Sequence, residues 1–175
     1  MAGPIPPTNG LWVRRAWSRY EGPLTWYAAR IVGNAERARD VVQETFLRLC
    51  EQDPADVEDH LAEWLYSVCR NYAIDVRRRA GRLGALSDAV ADVQPARTLD
   101  PADVAEHNDA AAAAVRELER LSANQQEVIR LKFQHGLSYK EIAAVTELSV
   151  TNVGFLIHTG LKKVRERLTA SEPAA

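Results

Sequence analysis

The chain has 175 residues, 46% of them hydrophobic and 26% charged, a globular mixture that fits one domain of ordinary size or two small ones. Its 22 Lys and Arg against 24 Asp and Glu leave a net charge of −2, which excludes the uniformly basic body of an independent nucleic-acid binder, so any DNA contact must be local or assisted by a partner. No run of about 18 apolar residues and no charged-then-apolar leader occurs, so neither membrane insertion nor secretion is expected, and the cytoplasm is the default compartment. Long stretches rich in Ala, Leu, Arg and Glu, with apolar residues recurring at three and four rather than two, predict an all-α protein. Cys50 and Cys69 are too few for a disulfide framework and lack zinc spacing, so they read as buried thiols. His60, His107, His135 and His158 are scattered, with no nucleophile and base pairing, so no cofactor or metal is expected.

Residues 1–10, with three prolines and two glycines, predict a frayed tail. Leu11, Trp12, Ala16, Trp17 and Tyr20 form a helical pattern up to Glu21-Gly22-Pro23, where a break is expected before a second helix from Leu24 to Ile31. The next helix runs from about Ala35 to Cys50 with Val42, Phe46, Leu49 and Cys50 as its buried stripe. Asp40, Glu44, Glu51, Asp53, Asp56, Glu58 and Asp59 make an acidic neighbourhood, either a solvated face or a dock for a basic partner. Asp53-Pro54-Ala55-Asp56 reads as a loop.

A long helix follows, with Leu61, Trp64, Leu65, Val68 and Tyr72 as its apolar face. The other side is expected to carry Tyr66, Arg70, Arg77 and Arg78, flanked by Asn71 and Arg79. Between residues 65 and 82 five arginines stand against one acid, Asp75, a local +4 in a chain whose sum is negative. Cations interleaved with an aromatic and an amide suit phosphate neutralisation and base stacking; a solvated helix whose arginines pair with the acidic helix before it fits equally. A first domain over residues 11–82 results. Residues 83–111 change character, six acids against Arg97 for a net of −5 with two prolines and many alanines, and predict a flexible acidic linker.

Helices return over residues 112–170: Val115, Leu118 and Leu121, then a capping box at Ser122-Ala123-Asn124-Gln125, then Val128, Ile129, Leu131 and Phe133 up to Gly136. From Ala113 to Ala170 nine Lys and Arg oppose six acids, a modest +3. Ser138-Tyr139-Lys140-Glu141 is a further capping box, with Ile142, Ala143 and Val145 on the buried side of a short helix. Ser149 caps the next, where Val150, Val153, Ile157, Leu161, Val164 and Leu168 recur down one side. The opposite face carries Thr151, Asn152, Phe155, Thr159 and Lys162, with His158 and Lys163 at its margins: side chains that can meet base edges, thymine methyls and phosphates in a major groove. This pair reads as a DNA-reading helix-turn-helix in preference to a plain helical hairpin, closing a four-helix C-terminal domain. The exposed ring of Phe155 is either a thymine-methyl contact or part of a protein interface.

Two small helical domains, one with an arginine-rich helix and one with a helix-turn-helix, joined by an acidic linker, resemble the extracytoplasmic-function sigma factors of bacterial RNA polymerase. The resemblance is carried in the first domain by residues 34–48 (NAERARDVVQETFLR) and 64–78 (WLYSVCRNYAIDVRR), and in the second by 126–133 (QEVIRLKF) and 136–143 (GLSYKEIA). It implies a promoter-specificity subunit and not an enzyme, with core RNA polymerase and promoter DNA as partners and an anti-sigma factor as a separate regulator. It further implies that Asp40, Gln43, Glu44 and Phe46 lie on the helix that docks on the polymerase clamp. The segment from Gln52 to His60 would capture a flipped base of the minus-ten element, and Tyr66, Arg70, Asn71, Arg77 and Arg78 would lie against that element as it melts. Thr151, Asn152, Phe155, His158, Thr159, Lys162 and Lys163 would face the minus-thirty-five element. Here the chain departs from many relatives: Gly154, Phe155 and Leu156 stand where lysine, serine and arginine are frequent, and Thr159-Gly160 replaces a frequent arginine and alanine. Without an arginine fork, bidentate guanine reading is not expected at those positions. Two other readings compete: a stand-alone helix-turn-helix regulator with an N-terminal sensor or dimerisation domain, and an enzyme using Cys50, Cys69 and His60 as a metal site.

Overall fold

The computed structural model describes residues 7–86 and 109–171. They are helical, with no strand among them, and fall into two compact units, one within Met1–Leu99 and one within Asp100–Ala175. The first unit is built from α1 (Pro7–Val32), α2 (Ala35–Cys50), a single turn α3 (Pro54–Val57) running into a 3-10 turn (Glu58–His60), and α4 (Leu61–Leu86). The second holds α5 (Asp109–Glu119), α6 (Ala123–Phe133), α7 (Tyr139–Thr146) and α8 (Val150–Ser171).

Three expectations about extent need correction. The helix begins at Pro7, inside the expected tail, because proline suits a first helical position that has no bond to donate. The break expected at Glu21-Gly22-Pro23 is absent, and α1 runs through Pro23. Pro23 is exposed, so the backbone bond it forfeits lies towards water, while Ala16, Leu24, Tyr27, Ala28 and Val32 form a continuous buried face against α2 and α4. Asp53–Asp56 is no loop: the Asp53 carboxylate accepts the Ala55 N–H at 3.0 Å, Pro54 opens a turn, and buried Val57 pins it to the core. Of the expected linker, 83–86 and 109–111 belong to α4 and α5, and 87–108 lie outside the described residues.

The α1–α2 corner needs the left-handed conformation, and Gly33 supplies it at φ 70°; the Asn34 side chain then caps α2 by accepting the Arg37 N–H at 2.9 Å. In α2, Val41, Val42, Phe46 and Leu49 are buried, and the Thr45 hydroxyl satisfies itself on the Val41 carbonyl at 2.8 Å. Cys69 of α4 lies beside it, and burial pushes that thiol up to about 12, with the Thr45 hydrogen bond pulling the other way, so it is protonated and unreactive at neutral pH. Cys50, Cys69 and His60 form no group that could hold a metal; none exists among the described residues. No single described helix is long and apolar enough to cross a membrane.

In the second unit Leu121, Val128, Ile129, Leu131, Leu137, Ile142, Val145, Val153 and Ile157 form the core. Phe133, expected in that stripe, is 62% exposed at the end of α6. His135 follows in the α6–α7 corner, where burial, helped by the Arg130 charge, lowers its pKa from 6.5 to about 4. The folded state therefore binds its proton less readily than the unfolded state does. Stability should be level above pH 6.5 and fall as pH drops below it, at no more than the one-proton limit of about 1.4 kcal/mol per pH unit. Amide exchange of α6 measured from pH 7.5 to 5 should show this loss, and His135→Gln should flatten it; an unchanged slope in the variant would assign the loss to other groups.

Candidate nucleic-acid interface

Each helix of the pair α7–α8 is started by a local device. The Ser138 hydroxyl accepts the Glu141 N–H at 3.2 Å while the Glu141 carboxylate accepts the Ser138 N–H at 2.7 Å, a reciprocal box. Glu147 ends α7 in the left-handed conformation at φ 60°, which a non-glycine residue adopts at a cost of about 1–2 kcal/mol. Its N–H and that of Leu148 both turn back onto the Ala143 carbonyl. The Ser149 hydroxyl then accepts the Asn152 N–H at 3.1 Å, and α8 departs at 103° to α7. A short turn between helices at such an angle is the geometry that presents a second helix to a major groove.

Val153 and Ile157 of α8 are buried. Val150 and Leu161, expected beside them, are 49% and 37% exposed, while Val164 and Leu168 further along the stripe are half-buried. Thr151, Asn152, Phe155, His158, Lys162 and Lys163 are all exposed, as the helical phase requires. Thr159 is a correction. It is half-buried rather than exposed, donating to the Phe155 carbonyl at 2.8 Å and accepting from Gln125 Nε2 at 3.1 Å, so its proton and one of its acceptor positions are engaged within the unit. Phe155 is 63% exposed and forms one wall of a shallow cleft of about 400 Å³ whose other walls include Leu156, Lys163 and Arg120. Phe155→Ala should shift the melting temperature little, within the roughly 0.5 kcal/mol usual for surface changes. Promoter choice or the binding of a protein inhibitor should change; a large thermal loss would show that the ring is core.

In α4 the phase differs from expectation. Leu65, Tyr66, Cys69 and Ala73 are the buried residues, while Leu61, Trp64, Val68 and Tyr72 are half-buried on one flank. Tyr66, expected to project outward with the arginines, is 1% exposed and meets Tyr27 of α1 edge-on at 5.3 Å. Burial, with Cys69 and Tyr20 nearby, holds its phenol above the ordinary range. The reason is that α4 packs against both α1 and α2, so its buried stripe faces the seam between them. Asn71 and Arg78 stand on the opposite side of α4 and are exposed, as are Arg77, Arg79 and Arg82, while Arg70 is half-buried. Arg78 pairs with Asp75 at 2.8 Å on the surface, a contact of small energetic weight. This end of α4 offers exposed guanidiniums and an amide to a polyanion.

The outward stripe of α2 holds Asp40, Gln43 and Glu44, the last paired with Arg48 at 3.1 Å. Phe46, expected to meet a partner, is 3% exposed and covered by Trp17 of α1 at 4.8 Å. Two apolar residues outside the expected set are exposed near it: Trp17, 41% exposed, and Leu47, 55% exposed. Leu47 continues the 40, 43, 44 spacing by one more turn, a signal readable from periodicity; the covering of Phe46 by Trp17 was not, since it joins two helices.

Comparison with known proteins gives matches over both units. Residues 16–83 match the model of Sigma-70 region 2, and residues 112–164 that of Sigma-70, region 4. The chain is 32% identical over 172 residues to the probable ECF RNA polymerase sigma factor SigI of Mycobacterium tuberculosis, covering 93% of this chain but 58% of that protein. It is 30% identical over 156 residues to SigL of the same species, an ECF RNA polymerase sigma factor, covering 87% of this chain and 86% of the relative. Among solved structures, the sigma factor RpoE of Bartonella quintana, in complex with the anti-sigma factor NepR, matches 91% of this chain and 98% of its own with a TM-score of 0.65. At 22% identity that last likeness concerns the fold.

Proposed function

Because this chain belongs to the extracytoplasmic-function family of RNA polymerase sigma factors, we propose that it binds core RNA polymerase in the cytoplasm and directs it to promoters, lending recognition and strand opening to an enzyme that does the chemistry. One observation carries this reading: a helix-turn-helix and a separate arginine-rich helical face sit on two different compact units of one chain. A stand-alone regulator needs the first and has no use for the second.

The roles follow from exposure and charge. Asp40, Gln43, Glu44 and Leu47, with Trp17 covering Phe46, dock on the clamp of the core enzyme, the acids meeting a basic surface and the apolar groups its dry centre. The α3 and 3-10 segment up to His60 receives a flipped base of the minus-ten element, and Asn71, Arg70, Arg77 and Arg78 hold the parted strand. Thr151, Asn152, Phe155 and His158 read the minus-thirty-five element while Lys162 and Lys163 meet its phosphates. Tyr66 and Thr159 support these surfaces from within. An anti-sigma factor, of the kind bound by the Bartonella relative, withholds the protein from polymerase until it is needed.

The charge distribution supplies the test. The net charge of −2, with −5 between the +4 helix and the +3 domain, leaves the free protein little counterion-release energy on DNA. Held on polymerase, the two weak contacts act at high effective concentration, which raises affinity by about a hundredfold or more. Gel shifts at physiological salt should therefore show weak, salt-sensitive binding by the isolated chain and a tight, sequence-specific complex once core polymerase is added. Transcription from a mixed promoter library should depend on the chain. Tight and specific binding by the chain alone, unaltered by core, would identify a stand-alone regulator instead.

A further inference from the structure

α8 is tied to α6 by a chain of side-chain hydrogen bonds beside a close helix approach. Ser122 caps α6, accepting the Gln125 N–H at 3.4 Å and donating to Gln125 Oε1 at 3.3 Å, which orients the amide of a residue only 5% exposed. Gln125 Nε2 in turn donates to the Thr159 hydroxyl at 3.1 Å, 34 residues away on α8. The Thr159 proton is spent on the Phe155 carbonyl at 2.8 Å, so the hydroxyl is oriented to accept from Gln125. The next residue, Gly160, is buried, and a methyl group there would stand 2.7 Å from Ile129 Cδ1, 3.3 Å from Leu121 Cδ1 and 3.6 Å from Gln125 Cβ. The backbone of α8 thus approaches α6 more closely than any side chain at this position would allow without moving Ile129.

Interdigitated apolar packing seats the helix, and a directional hydrogen bond beside a close glycine contact adds a constraint on its rotation and depth. At a side-chain radius of about 5 Å, a rotation of about 20° carries a side-chain tip nearly 2 Å, more than a hydrogen bond to a base edge tolerates. Phe155 lies one turn before Thr159 and Asn152 one turn before that, on the same helix.

We propose that the Gln125–Thr159 hydrogen bond and the Gly160 notch are positioning residues for minus-thirty-five recognition: they set the rotation and depth of α8 and through it the bases that Asn152 and Phe155 meet. This rests on the sigma-factor reading.

The test uses full-length protein with core polymerase and a promoter library randomised in the minus-thirty-five element over a constant minus-ten element. Thr159→Val removes the acceptor at nearly constant volume, Gly160→Ala fills the notch, and Thr159→Ser keeps the hydroxyl. Relative use of library sequences should shift by about two- to thirtyfold in the first two variants, the range by which residues touching neither ligand alter coupling. Core binding should stay unchanged, and Thr159→Ser should restore the original ranking. A uniform drop in transcription with the ranking intact overturns the proposal, because a merely structural role lowers yield without changing preference. If Gly160→Ala does not fold, Gln125→Met supplies the second break in the same contact. Wild-type protein that fails to initiate transcription with core would sink the sigma-factor reading itself, and this inference with it.

Discussion

Tyr66→Ala should destabilise the first unit by about 3–5 kcal/mol, the loss typical of emptying a buried aromatic site. The ring is 1% exposed and stacked edge-on against Tyr27, so its removal leaves a cavity at the seam of α1, α2 and α4. Tyr66→Phe keeps the ring and should lose far less. Asn71→Ala, on the opposite and exposed side of α4, should fall within the roughly 0.5 kcal/mol of an ordinary surface change yet impair promoter opening. The chain offers a convenient reporter, since Trp12, Trp17, Trp26 and Trp64 all lie in the first unit, and urea titration followed by tryptophan fluorescence reads that unit alone. A midpoint for Tyr66→Ala near that of the wild type would mean the ring does not fill the core of this unit. Permanganate footprinting on the Asn71 variant separates a reading role from a structural one.

The second large effect concerns the exposed end of α4. Replacing Arg77, Arg78, Arg79 and Arg82 together with glutamine should leave folding and core binding nearly intact, because all four are exposed and none lies on the α2 stripe. Each lost phosphate contact on a single strand removes about 0.7 from the slope of log affinity against log salt. Four contacts lower the slope by nearly 3, and open-complex affinity at physiological salt by on the order of a hundredfold. Open-complex lifetimes measured across a salt series would decide the matter: an unchanged slope would mean these guanidiniums face solvent throughout initiation.

Much of this was legible in the chain because it is decided locally. The box at Ser138–Glu141 and the caps at Ser122 and Ser149 are made by residues three apart, so they appear in the structure; at Ser122 the expected box is only a cap, because the Gln125 amide oxygen accepts from the Ser122 hydroxyl and not from its backbone N–H. The outward face of α8 follows from periodicity, as Thr151, Asn152, Phe155, His158 and Lys162 show. The local charges are additive and needed no fold to be counted.

Tertiary structure decided what local rules leave degenerate. From Leu61 to Val76 apolar and aromatic residues fall on more than one helical stripe, and only packing of α4 against two neighbours selects Tyr66 over Tyr72 as the buried ring. Pro23 reads as a break until the continuous buried face of α1 holds the helix together around one missing bond that lies on the water side. Phe46 reads as either core or contact, and Trp17, from another helix, makes it core. Thr159 reads as a polar surface residue because its partner, Gln125, is 34 positions away. Caps, periodicity and charge depend on neighbours within a turn or two, and the sequence alone determined those; which stripe is buried, and which hydroxyl is already engaged, depends on side chains that only folding brings together.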